Sequence, residues 1–169
     1  MADLLDRAWG RLTSALGFGT ITATKGTDGQ GVRQAQVRFS AVEVRDGTPL
    51  ICLYGVASRP LPGADAVLVF VEGNRSKGII IATNDRRYQI DLAEGEVAIH
   101  SDEGDSVHLK RGRVVKITAG TKLEIDAPLV TLTGRMEAAG DVKAGTISLQ
   151  NHVHGGVQRA AAQTDAPTP

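Results

Sequence analysis

Two histidines one residue apart, His152 and His154, are the residues in this chain whose type and spacing could do chemistry. In extended backbone, residues two apart point to the same side, about 6.6 Å from each other. Both imidazoles can then converge on one point, and neutral imidazole is a common ligand of first-row transition metals. Two nitrogens from one chain make a weak site. Three copies of the chain around an axis would bring six, enough to fill an octahedron. Zinc favours four ligands in a tetrahedron, so a six-nitrogen site points to iron, with nickel or cobalt as substitutes. The residues just before the pair set a condition. Ile147 and Leu149 alternate inward, so an unbroken strand would turn His152 and His154 outward. Convergence therefore requires a bend or bulge at Gln150–Asn151. Beyond Gly155-Gly156 the chain runs VQRAAAQTDAPTP, too small and polar to form a core. It reads as a disordered tail, or as three tails folded back over the tip.

The elements that must carry this pair lie in the stretch from Tyr88 to Leu149. Glycine or proline cuts it at Gly95, Gly104, Gly112, Gly120, Pro128, Gly134, Gly140 and Gly145, a period of about eight residues at first. Between the cuts, apolar residues alternate: Ile90/Leu92, Val97/Ile99, Val107/Leu109, Val115/Ile117, Leu123/Ile125, Val130/Leu132 and Ile147/Leu149. Alternation at period two puts one apolar stripe on one face of each short strand. Such a repeat cannot bury its face alone and needs neighbours, most simply other copies of the chain. No aromatic residue follows Tyr88, which suits a narrow core around a three-fold axis. The opposite face carries Glu96, His108, Lys110, Lys116, Lys122, Glu124 and Asp126. His100 and His108 fall on this outward parity and read as exposed surface. The glycine spacing shrinks across Gly134, Gly140 and Gly145, a taper toward the histidine pair.

Residues 18–85 read as a small β-barrel. Strands are expected at Gly19–Thr24, around Ala35–Val44 with a bulge at Ala41–Val42, and at Leu50–Val56, Ala66–Glu72 and Gly78–Thr83. Asp46-Gly47 has the form of a hairpin turn. Five strands in this length suit an OB-type Greek-key barrel, with Phe39, Tyr54 and Phe70 as core. Arg86 and Arg87, at the joint, read equally as solvated charge or as inter-chain salt bridges. At the other end, residues 3–16 place Leu5, Ala8, Trp9, Leu12 and Leu16 on one helical face, with Asp3 as N-cap and Gly17 as stop. That helix would pack on its own domain or dock into a larger assembly. The expected domains are 1–17, 18–85, 86–149 and 150–169.

Composition excludes several function classes. Lys+Arg and Asp+Glu both number 19, so the chain lacks the basic footprint of a nucleic-acid binder. The longest apolar run, Ala66 to Val71, is far too short for a membrane-spanning helix, and no charged-then-apolar leader opens the chain. The lone Cys52 cannot form an intrachain disulfide. No paired carboxylates sit in a context suited to hydrolysis, so an enzyme is not expected. A metal-dependent cell-wall hydrolase component or an OB-fold binding module are the alternatives.

Three segments resemble a known family: PLPGADAVLVFVEGNRSKGIIIATNDRRYQI, EGEVAIHSDEGDSVHLKRGRV and HVHGGV. They are similar to the baseplate spike protein of Mu-like contractile-tailed phages and, more widely, to the baseplate assembly V family that includes the P2 spike. The resemblance runs from about Gly17 to Val157. It implies an all-β homotrimer with an OB-fold collar, a triple-stranded β-helix shaft and a pointed apex. It implies an iron ion, one per trimer, held by the His-x-His of three chains, which carries over to His152 and His154. Some relatives also hold calcium and chloride inside the apex. The implied place is below the tail tube on the virion baseplate, against baseplate hub and tail tube proteins. The implied role is to pierce the host outer membrane as the sheath contracts, with no nucleic acid bound.

Overall fold

A computed structural model describes residues 14–27 and 31–153. The chain divides into two units, Met1–Leu123 and Glu124–Pro169. The described residues are all-β, with antiparallel sheets and no helix beyond single turns at Val71–Gly73 and Arg86–Tyr88. The helix expected over 3–16 lies outside the described residues except at its end, where Leu16 and Gly17 open a strand instead.

The first unit begins with a five-stranded sheet. Its strands are β1 (Leu16–Lys25), β2 (Gln34–Arg38), β3 (Val44–Pro49), β4 (Asp65–Phe70) and β5 (Gly78–Asn84). The sheet order is β3-β2-β1-β4-β5. Beyond β3, Leu50 makes a parallel bridge to Ile80 and the Ile51 amide donates to the Ile80 carbonyl at 3.0 Å, so the two edges of the sheet meet. Alternation explains what is enclosed. In β4 (DAVLVF), Ala66, Leu68 and Phe70 point inward and are buried, together with Ile21, Ala35, Val37, Leu50, Ala64 and Ile80. Phe70 is the largest of these. Glycines make room for its ring: a Cβ at Gly17 would come within 2.5 Å of the ring, and one at Gly78 within 3.0 Å.

Two local features stand in exchanged places. The expected hairpin turn at Asp46-Gly47 is a bulge inside β3, where the register jumps from Thr48 opposite Ala35 to Arg45 opposite Val37. Gly47 takes φ 67° there. The expected bulge at Ala41–Val42 is the real turn: Ser40 Oγ accepts from the amides of Val42 and Glu43, at 3.3 and 3.2 Å. Leu50–Val56 is consequently not the third strand, and Tyr54, expected in the core, is fully exposed. Phe39 packs against the core, 5.8 Å from Phe70 between ring centroids.

Arg86 and Arg87 are both paired within the chain. Arg86 grips Asp65 through two hydrogen bonds of 2.7 and 3.0 Å. Arg87 holds Asp85 and donates to the Pro62 carbonyl at 2.9 Å.

The same unit continues into a three-stranded antiparallel meander, β6 (Val97–His100), β7 (Ser106–Lys110) and β8 (Val114–Thr118). Its turns fall at the expected glycines, and Gly95, Gly104 and Gly112 all have positive φ. In the second unit, the described residues form one short hairpin, β9 (Lys143–Ala144) with β10 (Ile147–Ser148), turning at Gly145.

Candidate functional site

Two places carry the functional argument, and the first is one face of the meander. The register aligns Val97 with Leu109 and Ile99 with Val107. It also aligns Val107 with Ile117 and Leu109 with Val115. Six apolar side chains therefore form two continuous rows on one face. In the single chain they are 41% to 68% exposed. A contiguous apolar patch of this kind marks an interaction surface.

The other face is polar but not simply solvated. Glu96 Oε2 and His108 Nε2 lie 2.9 Å apart, with side chains 8% and 16% exposed. Glu96 also accepts from the amides of Arg111 (3.0 Å) and Ala93 (3.2 Å). The Arg111 amide is the main reason its carboxyl is held below the usual range, with the Ala93 amide and His108 adding to it against the cost of burial. The expectation that His108 is plain surface is thus corrected: it is a partly buried partner of a carboxylate that ties two turns together. His100 is exposed.

The second place is the turn that ends at His152. The His152 amide donates to the Ser148 carbonyl at 3.1 Å, and the Asn151 amide donates to Ser148 Oγ at 2.9 Å. This turn lies where the sequence requires a bend. His152 Nδ1 sits 3.0 Å from the Ser148 carbonyl and 3.1 Å from that of Leu149. Carbonyls only accept, so Nδ1 must carry the proton. Nε2 then holds the lone pair in the neutral ring, the arrangement in which a metal-ligating histidine is oriented by its second nitrogen. His152 therefore fits the donor chemistry asked of it. His154 lies outside the described residues. Among the described residues, no group of three or more His, Cys, Asp or Glu side chains in one chain could hold a metal.

Asp141 braces the same turn and was not singled out as a brace by its sequence context. Its Oδ1 accepts from the Gln150 amide at 3.1 Å. Its carboxyl is held below the usual range by the Ser148 hydroxyl first, then by the amides of Gln150, Leu149 and Val142. A folded value below the unfolded one stabilises the turn fully above the unfolded value, about 3.9. That contribution is lost as pH falls through the folded value. Asp141→Ala should therefore loosen residues 148–152 at neutral pH. Amide exchange at Gln150 and His152 should rise severalfold in the variant, and unchanged protection would remove Asp141 from this role.

Residues 19–87 match the family described as Bacteriophage Mu Gp45, N-terminal, and residues 147–168 match the GpV Apex motif. The chain is 35% identical over 118 residues to the "Baseplate puncturing device gp45" of Escherichia phage Mu, an alignment covering 65% of this chain and 60% of the relative. The first match coincides with the five-stranded sheet and the joint after it, and the second contains β10 and the His152 turn. Two separate family matches and this relative agree: the chain is similar to the baseplate spike proteins of Mu-like phages over two stretches, and it spans about 60% of the length of the relative it matches.

Proposed function

We propose that three copies of this chain form the spike at the distal tip of a contractile phage tail, and that sheath contraction drives it through the host outer membrane. The observation that carries this reading is the doubled apolar row on the β6-β7-β8 face. An apolar stripe backed by Glu96, His108 and Lys116 makes sense when three such faces meet around an axis. Burial there would contribute about 1.5–3 kcal/mol for each Val, Leu or Ile fully removed from water. Interchain pairing would also leave no free strand edge. Residues 119–142 fit the same reading. Their apolar alternation continues with no strand pairing among the described residues, as expected if their pairing partners are other copies.

The five-stranded sheet supports an OB-fold collar. Its strands connect as β1-β2-β3, then across the parallel bridge to β5, and back through β4 to β1. That closed circuit is the connectivity of a five-stranded Greek-key barrel. The collar would sit against the baseplate hub and tail tube. At the apex, His152 and His154 of three chains would hold one iron ion, and the bound ion would tie three chain ends together and add to folded stability. Calcium and chloride remain proposals carried from the family alone, with no residues assigned. The role is mechanical, and no bond is broken by this chain.

The test is mass in solution by light scattering combined with metal content by plasma mass spectrometry. A trimer with close to one iron per three chains is the expected result, and a metal-free monomer would overturn the reading. In the variant carrying both His152→Ala and His154→Ala, metal should be lost and the melting temperature should fall while the trimer persists. Full metal retention in that variant would move the site elsewhere.

A further inference from the structure

The apolar face of the meander is flanked by two turns of opposite charge. The β6–β7 turn is Asp102-Glu103-Gly104-Asp105, and the β7–β8 turn is Arg111-Gly112-Arg113, next to Lys110. Gly104 and Gly112 shape these turns at φ 91° and 77°. Val97 pairs with Leu109 and His100 with Ser106, so the two turns lie at opposite ends of the sheet. β7, Ser106–Lys110, separates them, a length of about 14 Å. Charges are screened over about 8 Å at physiological ionic strength, so the two ends hardly neutralise each other within one chain.

Part of this charge is engaged locally. Asp105 accepts from the Gly120 amide at 2.8 Å. The Arg111 guanidinium lies against Gly95, where an added Cβ would meet it at 2.8 Å. Asp102 adds a small share to the raised pKa of Arg87, which Asp85 dominates. Lys122 lines one cleft with Glu103 and Asp105, and Glu94 and Glu96 stand beside the basic turn, just before β6. With all of these counted, the first end remains negative and the second positive. Among the described residues, the side chains of Glu103, Lys110 and Arg113 make no hydrogen bond or ion pair.

We propose that the β6–β7 turn of each copy seats against the β7–β8 turn of the next copy, Glu103 facing the Lys110 and Arg113 of its neighbour; this rests on the three-copy reading above. A contact between two different patches of one chain is heterologous, and rotation can close it into a ring. Three sheets with their apolar rows turned inward meet edge to edge, so every junction brings one acidic end against one basic end. No charged end is left unmatched. Strands running along the axis would instead gather three acidic turns at one level and three basic turns at another. The apolar rows exclude neither arrangement, whereas charge selects the ring with strands across the axis. Exposed ion pairs stabilise little, and like charges placed together cost more, so this seam governs which ends meet rather than how tightly.

The test is treatment with a short bismaleimide of a Cys52→Ser chain that also carries Glu103→Cys and Arg113→Cys. The expected product on a denaturing gel is a covalent trimer, while Glu103→Cys alone in the same background stays a single chain. Covalent dimers from Glu103→Cys alone would overturn the proposal, because they place two acidic turns together. Absence of covalent trimer, from protein with a trimer's mass by light scattering, would overturn it and leave the spike reading standing. A monomeric mass before cross-linking would overturn both. Charge reversal supplies a second measurement. Glu103→Lys and Arg113→Glu should each lower the melting temperature by a few degrees, and the two together should restore it. Additive losses in the combined variant would overturn the proposal.

Discussion

A Val107→Asp chain is expected not to form the proposed trimer and to run as a monomer or as aggregate in analytical ultracentrifugation, while Lys116→Ala still assembles. Val107 lies on the middle strand of the meander, opposite Ile99 on one side and Ile117 on the other. In a three-fold assembly its side chain would face those of two other copies. The substitution removes burial of about 1.5–3 kcal/mol per chain. It also places an uncompensated carboxylate in each apolar face, at a cost of several kcal/mol for every ion. Three such carboxylates near one axis repel one another besides. Lys116 lies on the opposite side of the sheet, beside His108, and its loss removes no apolar contact. A Val107→Asp trimer with an unaltered melting curve would mean that this face is covered by something other than its own copies.

The second large effect is expected inside the five-stranded sheet. Phe70→Ala should destabilise it by about 3–5 kcal/mol, the usual cost of emptying a large aromatic site. The phenyl ring is 2% exposed and is fitted beneath Gly17 and Gly78, glycines that leave little side-chain volume to collapse into the space. Arg75 lies 4.9 Å from the ring centroids of both Phe39 and Phe70, while its guanidinium holds Glu43 through two hydrogen bonds of 3.0 and 2.9 Å. Loss of the ring therefore also removes one aromatic partner of that cation. Urea dependence of amide exchange at Ile21, Leu68 and Ile80 in the full-length protein measures this. A shift below about 1 kcal/mol, outside the range for such truncations, would mean that the sheet repacks around the gap.

The parts of this architecture legible in the sequence are those set by local periodicity. Alternation in DAVLVF and in the pairs Val97/Ile99, Val107/Leu109 and Val115/Ile117 is enough to assign strands and their faces, because pleat geometry alone decides which residues share a side. The glycine cuts are legible for the same reason, since positive φ at Gly95, Gly104 and Gly112 is a local requirement. What escaped depends on a choice between two structures that ask for the same residue. Asp46-Gly47 offers a left-handed glycine, and both a hairpin turn and a bulge use one. Only the pairing partner, β2, decides between them. Placing the turn there displaced the third strand and pulled Tyr54 into an imagined core. The Ser40 turn was hidden because its signal is a single hydroxyl accepting from two amides. At the apex, the residue types of His152 and His154 were legible, but the brace was not. Asp141 acts across nine residues on Gln150, and nothing in the intervening sequence announces the contact.

The pairings of Arg86 and Arg87 bear on how the sheet would respond to a pull along the chain. β5 is the last strand before the meander, and it joins its sheet on one side to β4. A tug on the residues beyond Tyr88 would, without help, peel that strand away one hydrogen bond at a time. Arg86 instead fastens the exit to Asp65, the first residue of β4, and Arg87 fastens it to the Pro62 carbonyl in the loop before β4. Tension is thereby handed to the neighbouring strand before any bond at the end of β5 must open, and the sheet is asked to shear as a block rather than unzip.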